Sequence, residues 1–200
     1  MIAAIVLAAG ESTRMGRPKM VLPWGKTTVV GRVVQVLSQG GVEQIVVVTG
    51  GAQERVEEAL QGFPVRCVFN PRYTQDEMLL SLRTGLSALP SQCQAAMVAL
   101  GDQPQIETYV VQSLLEKFRQ SGSAMVIPSY KMRRGHPWIL AQGLWETVYA
   151  LPAGATMRDL IQKHAGQIAY LEVDTPSILR DLDTLEDYRR QRPKSSCQGA

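Results

Sequence analysis

Residues 1–19 read MIAAIVLAAGESTRMGRPK, and the first ten decide the fold. Residues 2–7 form an unbroken apolar run that ends in three small residues, Ala8, Ala9 and Gly10. A strand buried on both faces reads as such a run, with no polar alternation. No basic segment precedes it and a glycine-containing turn follows, so it is read as an opening strand and not as an export signal. The pattern recurs downstream. Strands are expected at 44–48, 65–69, 95–100 and 124–128, and helices at 28–38, 53–60, 76–89 and 107–120. Strand and helix alternating at this spacing make βαβ units, hence a mostly parallel, Rossmann-like doubly wound sheet in a three-layer α/β/α domain. After Pro128 the pattern changes. Residues 130–137 are basic and contain a glycine. A strand at 138–140, helices at 144–150 and 157–164, and a strand at 168–173 follow. A last helix spans 183–192, with Asp183 or Thr184 as its N-cap. No internal repeat or linker divides the chain, so residues 1–192 are expected to form one domain and 193–200 a flexible tail.

The composition excludes several classes. At 200 residues the chain matches one domain of roughly 150 residues with some elaboration, and it buries enough surface to fold without a staple. A net charge of +3 is too small for a nucleic-acid face. No apolar run approaches the ~20 residues of a membrane span. Cys67, Cys93 and Cys197 lie far apart, and with only His136 and His164 beside them they make no zinc pattern. Unpaired cysteines suit a reducing cytoplasm. The basic clusters Arg14, Arg17, Lys19 and Lys131, Arg133, Arg134 suit a phosphate-bearing small molecule.

A doubly wound sheet binds its ligand beyond the carboxyl ends of its strands. The loop from Leu7 to Lys19 is the first of these. Ala8, Ala9 and Gly10 let a ligand approach the backbone, and Gly10 and Gly16 tolerate backbone angles closed to other residues. Exposed N–H groups beside a helix start cradle an anion. Arg14 adds a planar fork and Lys19 a mobile point charge. The ordinary alternative is a strand-to-helix turn with surface cations. Other nucleotide signatures fail: a Walker A glycine would fall at Met20, and a dinucleotide fingerprint would put glycine where Ser12 stands.

The loop 100–104, LGDQP, sets a carboxylate directly after a buried strand, with Gly101 leaving room beside it. Asp102 is well placed for magnesium, which takes few protein carboxylates and completes its octahedron with water and phosphates. It lies several residues too early to cap the helix near Glu107. Asp181 and Asp183 are two apart, so an extended segment turns both to one side. Asp183 then offers a second metal carboxylate, although Asp-Thr before a helix is also what N-capping looks like. The segment 131–137, KMRRGHP, suits a loop against an anionic second substrate and equally a solvated basic hairpin. Nothing in it orients His136 as a base. The helix in 70–86 points its N-terminus at the strand ends. Ser81 would line the site from it, while Met78, Leu79, Leu82 and Leu86 read as core.

Taken in order, LAAGESTRMGRPK, NPRYTQDEMLLSL, LGDQP, RRGHP and DLDTLEDY resemble the MobA-like nucleoside triphosphate transferases over about residues 2–190. Within that family they are most similar to the molybdenum cofactor cytidylyltransferase branch. The resemblance implies a fold of the nucleotidyltransferase type. It implies that Leu7, Ala8, Ala9, Gly10, Arg14 and Lys19 wrap the nucleotide with Ser81, Gly101 and Asp102. It implies Mg2+ on Asp102 and Asp183, and Arg134, Gly135, His136 and Pro137 on the molybdopterin side. Arg14, Lys19 and Asp102 would be the catalytic groups. Ala9, in LAAG as against LAGG, is associated with cytosine over guanine. The implied reaction transfers CMP from CTP to the phosphate of molybdopterin and releases pyrophosphate, followed by transient contact with a molybdoenzyme or its chaperone. Glu77 departs from the family's glycine before the methionine, and an acid beside a triphosphate repels it unless it faces away or touches the metal. Two rival readings keep part of the evidence: a sugar-1-phosphate or other phosphate-acceptor nucleotidyltransferase, and a nucleotide-binding module without turnover.

Overall fold

The computed structural model describes residues 1–10, 15–75, 78–152 and 154–193. In chain order these form β1 (Ile2–Ala8), a small ladder of β2 (Pro23–Trp24) and β3 (Thr27–Thr28), α1 (Val29–Gln39), β4 (Gln44–Thr49), α2 (Gln53–Ala59) and β5 (Val65–Phe69). Then come α3 (Met78–Ser87), β6 (Ala95–Leu100), α4 (Thr108–Ser121), β7 (Met125–Tyr130), β8 (Arg133–Arg134) and β9 (Trp138–Ala141). The chain closes with α5 (Trp145–Ala150), α6 (Met157–Lys163), β10 (Ile168–Glu172) and α7 (Leu185–Gln191). The expected tail beyond 193 lies outside the described residues.

The sheet order is β10-β7-β9-β6-β1-β4-β5, with β8 paired to β7. β1 lies at the centre of the parallel part, with Val6 opposite Val47 of β4 and Ala99 of β6. The apolar run is buried on both faces. Ala4, Val6 and Ala8 pack in one core with α1 and α4, while Ala3, Ile5 and Leu7 pack in another with α3, α5 and α6. Three layers follow, as the continuous run requires. Because β4 and β6 flank β1 on opposite sides, the order reverses at its carboxyl end, where a crevice opens.

β9 interrupts the parallel order: it runs antiparallel to both β6 and β7. The basic segment after Pro128 is a hairpin here. Lys131 and Met132 have φ of 48° and 64°, turning β7 into β8 through two left-handed residues. Thr184, not Asp183, is the N-cap of the last helix. Its hydroxyl accepts from the Asp187 N–H while the Asp187 carboxylate accepts from the Thr184 N–H. A third, smaller core joins Met15, Leu22, Trp24 and Val29 to Leu182 and Tyr188. The Tyr188 hydroxyl donates to the Pro23 carbonyl at 2.7 Å. No helix among the described residues is long and apolar enough to cross a membrane.

Candidate active site

The exits of β1 and β6 are bonded together: the Gly101 N–H donates to the Leu7 carbonyl at 2.9 Å. A Cβ on Gly101 would lie 3.0 Å from the Met20 sulfur and 3.1 Å from the Leu7 oxygen, so any side chain there would crowd both. Leu7, Ala8 and Ala9 are buried and Gly10 is exposed at the mouth. Gly16 has φ of +63°, whereas Gly10 is not among the positive-φ glycines. Arg14 and Glu77 lie outside the described residues.

Lys19 stands on a single 3-10 turn, Lys19–Val21. Its ammonium lies 2.5 Å from Asp102 Oδ2 and 3.8 Å from Asp183 Oδ1. The Lys19 and Asp102 side chains are about 15% exposed, and Asp183 is 51% exposed. Two backbone groups hold the distant segments in register, the Leu182 N–H donating to the Asp102 carbonyl at 3.1 Å. Beside it the buried Gln103 amide donates to Asp181 Oδ1 at 2.5 Å. Burial pushes the Asp181 carboxyl up, Asp102 and Asp183 push it the same way, and Gln103 and Lys19 oppose the rise. Asp181 and Asp183 thus face one neighbourhood, as their spacing predicts.

This donor set suits a divalent cation. Among the described residues, Lys19 is paired with Asp102 and Asp183 while Asp181 lies close to both carboxylates, and negative charge gathered in a half-buried place needs compensation. No group of three or more His, Cys, Asp and Glu among the described residues has metal-holding geometry. Asp102 and Asp183 alone would hold a cation that completes its shell with phosphate and water oxygens, which is magnesium's habit.

A cleft of about 260 Å³ opens beside the crevice, lined by Leu7, Ala9, Gly10, Tyr73, Met78, Ser81 and Leu100. The structure therefore brings together Leu7, Ala9, Gly10 and Ser81 in one wall, and Lys19, Asp102 and Asp183 at the adjoining strand exit. Tyr73 also lines a second cleft, of about 510 Å³, with Pro18, Gly50, Gly51 and Phe69.

The segment 134–137 packs against the turn at 176–179, whose Ile178 carbonyl also accepts from the Gln103 amide beside Asp102 at 3.5 Å. A Cβ on Gly135 would overlap the Ile178 backbone, and the His136 N–H donates to the Ile178 carbonyl at 3.0 Å. Gly135 thus serves a backbone contact. The half-buried His136 ring lies 6.0 Å from that of Trp138, and burial pushes its pKa down to about 4, so it is neutral near pH 7. Arg134 is exposed and stacks over the Tyr170 ring at 5.4 Å.

Two buried residues escaped the sequence reading. Asn70 donates to the Ser81 hydroxyl at 3.1 Å, and Gln103 ties Asp181 to the Asp102 loop. Asn-Pro directly after a strand was the available signal for the first, because that pair starts turns. Nothing local marked Gln103.

Residues 4–168 match the MobA-like NTP transferase domain. Nicotine blue oxidoreductase of Paenarthrobacter nicotinovorans is 29% identical over 196 residues, covering 94% of this chain and 95% of that protein. Molybdenum cofactor cytidylyltransferase of Escherichia coli K12 is 26% identical over 188 residues, covering 94% and 93%. Among solved structures, Rv0371c from Mycobacterium tuberculosis H37Rv superposes with a TM-score of 0.83 at 28% identity, over 94% of this chain and 96% of that one. A second structure of Rv0371c is a complex with manganese, with a TM-score of 0.77 at the same identity and coverage. The fold, the strand-exit crevice and the matched span agree: the chain belongs to the MobA-like NTP transferase domain family and is a nucleotidyltransferase of that type.

Proposed function

We propose that residues 1–192 act as one cytidylyltransferase domain that transfers CMP from CTP to the terminal phosphate of a molybdopterin cofactor. The observation that carries this reading is the convergence of Lys19, Asp102 and Asp183 at the exit of β1. An acceptor phosphate oxygen attacks the α-phosphorus in line, the bridging bond to the β-phosphate breaks, and pyrophosphate leaves. The acceptor oxygen is already anionic, so no strong general base is required. The barrier lies in bringing anions together and in stabilising the leaving charge, which makes positioning and electrostatics the main terms. A divalent cation held by Asp102 and Asp183, with magnesium the proposed ion, supplies charge neutralisation for the phosphates. Lys19 and Arg14 neutralise the departing pyrophosphate. Leu7, Ala8, Ala9, Gly10, Ser81 and Gly101 hold the nucleoside end. Arg134 offers its exposed guanidinium to the acceptor, with Gly135, His136 and Pro137 as the wall behind it. The same reading puts the protein in the cytoplasm, passing its product to a molybdoenzyme or its chaperone.

The 29% identity to an oxidoreductase over nearly the whole chain favours a second reading, in which the crevice holds a redox substrate. One assay separates them: pyrophosphate release with magnesium, each of the four NTPs, and molybdopterin with or without molybdate. The proposal expects release with CTP that depends on molybdopterin. Release only with a sugar or polyol phosphate would move the acceptor. Nucleotide binding without release would leave a binding module. No release, with redox turnover of nicotine blue instead, would favour the second reading.

A further inference from the structure

We infer that Asn70 sets the protein's base selectivity by making Ser81 a hydrogen-bond donor to a carbonyl on the nucleobase. The inference rests on the nucleotidyltransferase reading and assigns a positioning residue to it.

Asn70 follows β5 directly and is 1% exposed. Its backbone N–H donates to the Thr49 carbonyl at 2.9 Å, which fixes the residue against the exit of β4. Its side-chain oxygen accepts from the Arg72 backbone N–H at 3.0 Å. That group can only donate, so the amide orientation is determined: oxygen toward Arg72, nitrogen toward Ser81. The nitrogen donates to the Ser81 hydroxyl oxygen at 3.1 Å. A hydroxyl that receives a hydrogen bond still has one proton to give. Among the described residues no acceptor takes the Ser81 proton, and Ser81 lines the cleft. The other lining residues are apolar or backbone, apart from the Tyr73 phenol. Such a cleft takes a flat heterocycle and pairs the hydroxyl with a ring carbonyl. Cytosine and uracil carry one at C2, whereas adenine has none.

Asn70→Asp reverses the polarity with almost no change in shape. One carboxylate oxygen still accepts from Arg72, while the other draws the Ser81 proton away and turns a lone pair to the cleft. The dissociation constants of CTP, UTP, ATP and GTP are measured on the full chain for wild type, Asn70→Asp, Ser81→Ala and the double variant. The expected result is a preference for CTP over ATP that falls about three- to tenfold in each single variant, the worth of one hydrogen bond, and falls no further in the double. Equal weakening of all four nucleotides by Asn70→Asp would make Asn70 a structural support and overturn the inference. So would a shift that persists in the Ser81→Ala background. Should Asn70→Asp fail to fold, Asn70→Ala frees the hydroxyl for either role and is expected to reduce the preference on its own; an unchanged preference there overturns the inference. Triphosphates that bind with unchanged preference sink this inference alone, whereas no triphosphate binding at all sinks the nucleotidyltransferase reading with it.

Discussion

The Lys19 ammonium lies within 3.8 Å of two carboxylates, Asp102 and Asp183, beside the exits of β1 and β6. Lys19→Ala removes a preorganised charge and is expected to lower pyrophosphate release roughly 100- to 1000-fold. Near-normal turnover would take Lys19 out of the mechanism. Asp102→Asn keeps the size and loses the charge, so it should abolish metal-dependent turnover and weaken manganese binding followed by electron paramagnetic resonance, at unchanged melting temperature. Turnover that survives would relocate the metal. His136 gives a pH signature. Its pKa is about 4 in the folded chain and near 6.5 when unfolded, so between those values the unfolded state binds a proton that the folded state refuses. Stability should therefore fall as pH drops from 6.5 to 4, by on the order of 3 kcal/mol from this group, and level off below. Urea midpoints against pH for wild type and His136→Asn test it: equal slopes in that window would refute the assignment. The approach of Lys19, Asp102 and Asp183 to one another was expected because Asp102 stands where a buried run ends, Asp183 just before a helix, and Lys19 in the basic loop that leaves the opening strand. The partners of Asn70 and Gln103 were not: Asn-Pro after a strand marks a turn but not what Asn70 touches, and the two partners lie 11 and 78 residues away.

At the scale of elements, α7 shows how a cap can serve a site. Thr184 anchors the helix, and Asp183 is the residue immediately before it. Thr184→Ala should destabilise the protein by about 1 kcal/mol. The Thr184 hydroxyl is the first cause holding the Asp187 carboxyl below its ordinary range, so the same change should let the Asp187 pKa rise, as NMR titration would record. An unmoved Asp187 would break the link. The alternation of runs and helical stripes gave the parallel strands, although the edge strands β5 and β10 are only partly buried. It did not reveal that β9 is antiparallel, because a buried run reads the same in either direction. It also left the 130–137 hairpin open, since its turn uses lysine and methionine at left-handed positions where glycine or asparagine would be the readable signal.

At the scale of the molecule, the small third core is what joins the first loop to the last helix. Tyr188 is 7% exposed and links Trp24 and Pro23 to α7. Tyr188→Ala should cost about 3 kcal/mol, the range of large aromatic truncations, and should weaken manganese binding although it touches no ligand. Tight binding in a destabilised variant would show that the metal carboxylates are positioned without this core. Leu182, whose N–H reaches the Asp102 carbonyl, belongs to the same core. The last sheet strand ends at Glu172 and Asp183 comes later. If Asp183 holds the metal as proposed, a growing polypeptide with every described sheet strand already synthesised would still lack one of the two carboxylates. On that proposal, order of synthesis would withhold the reaction until the final segment emerges and docks.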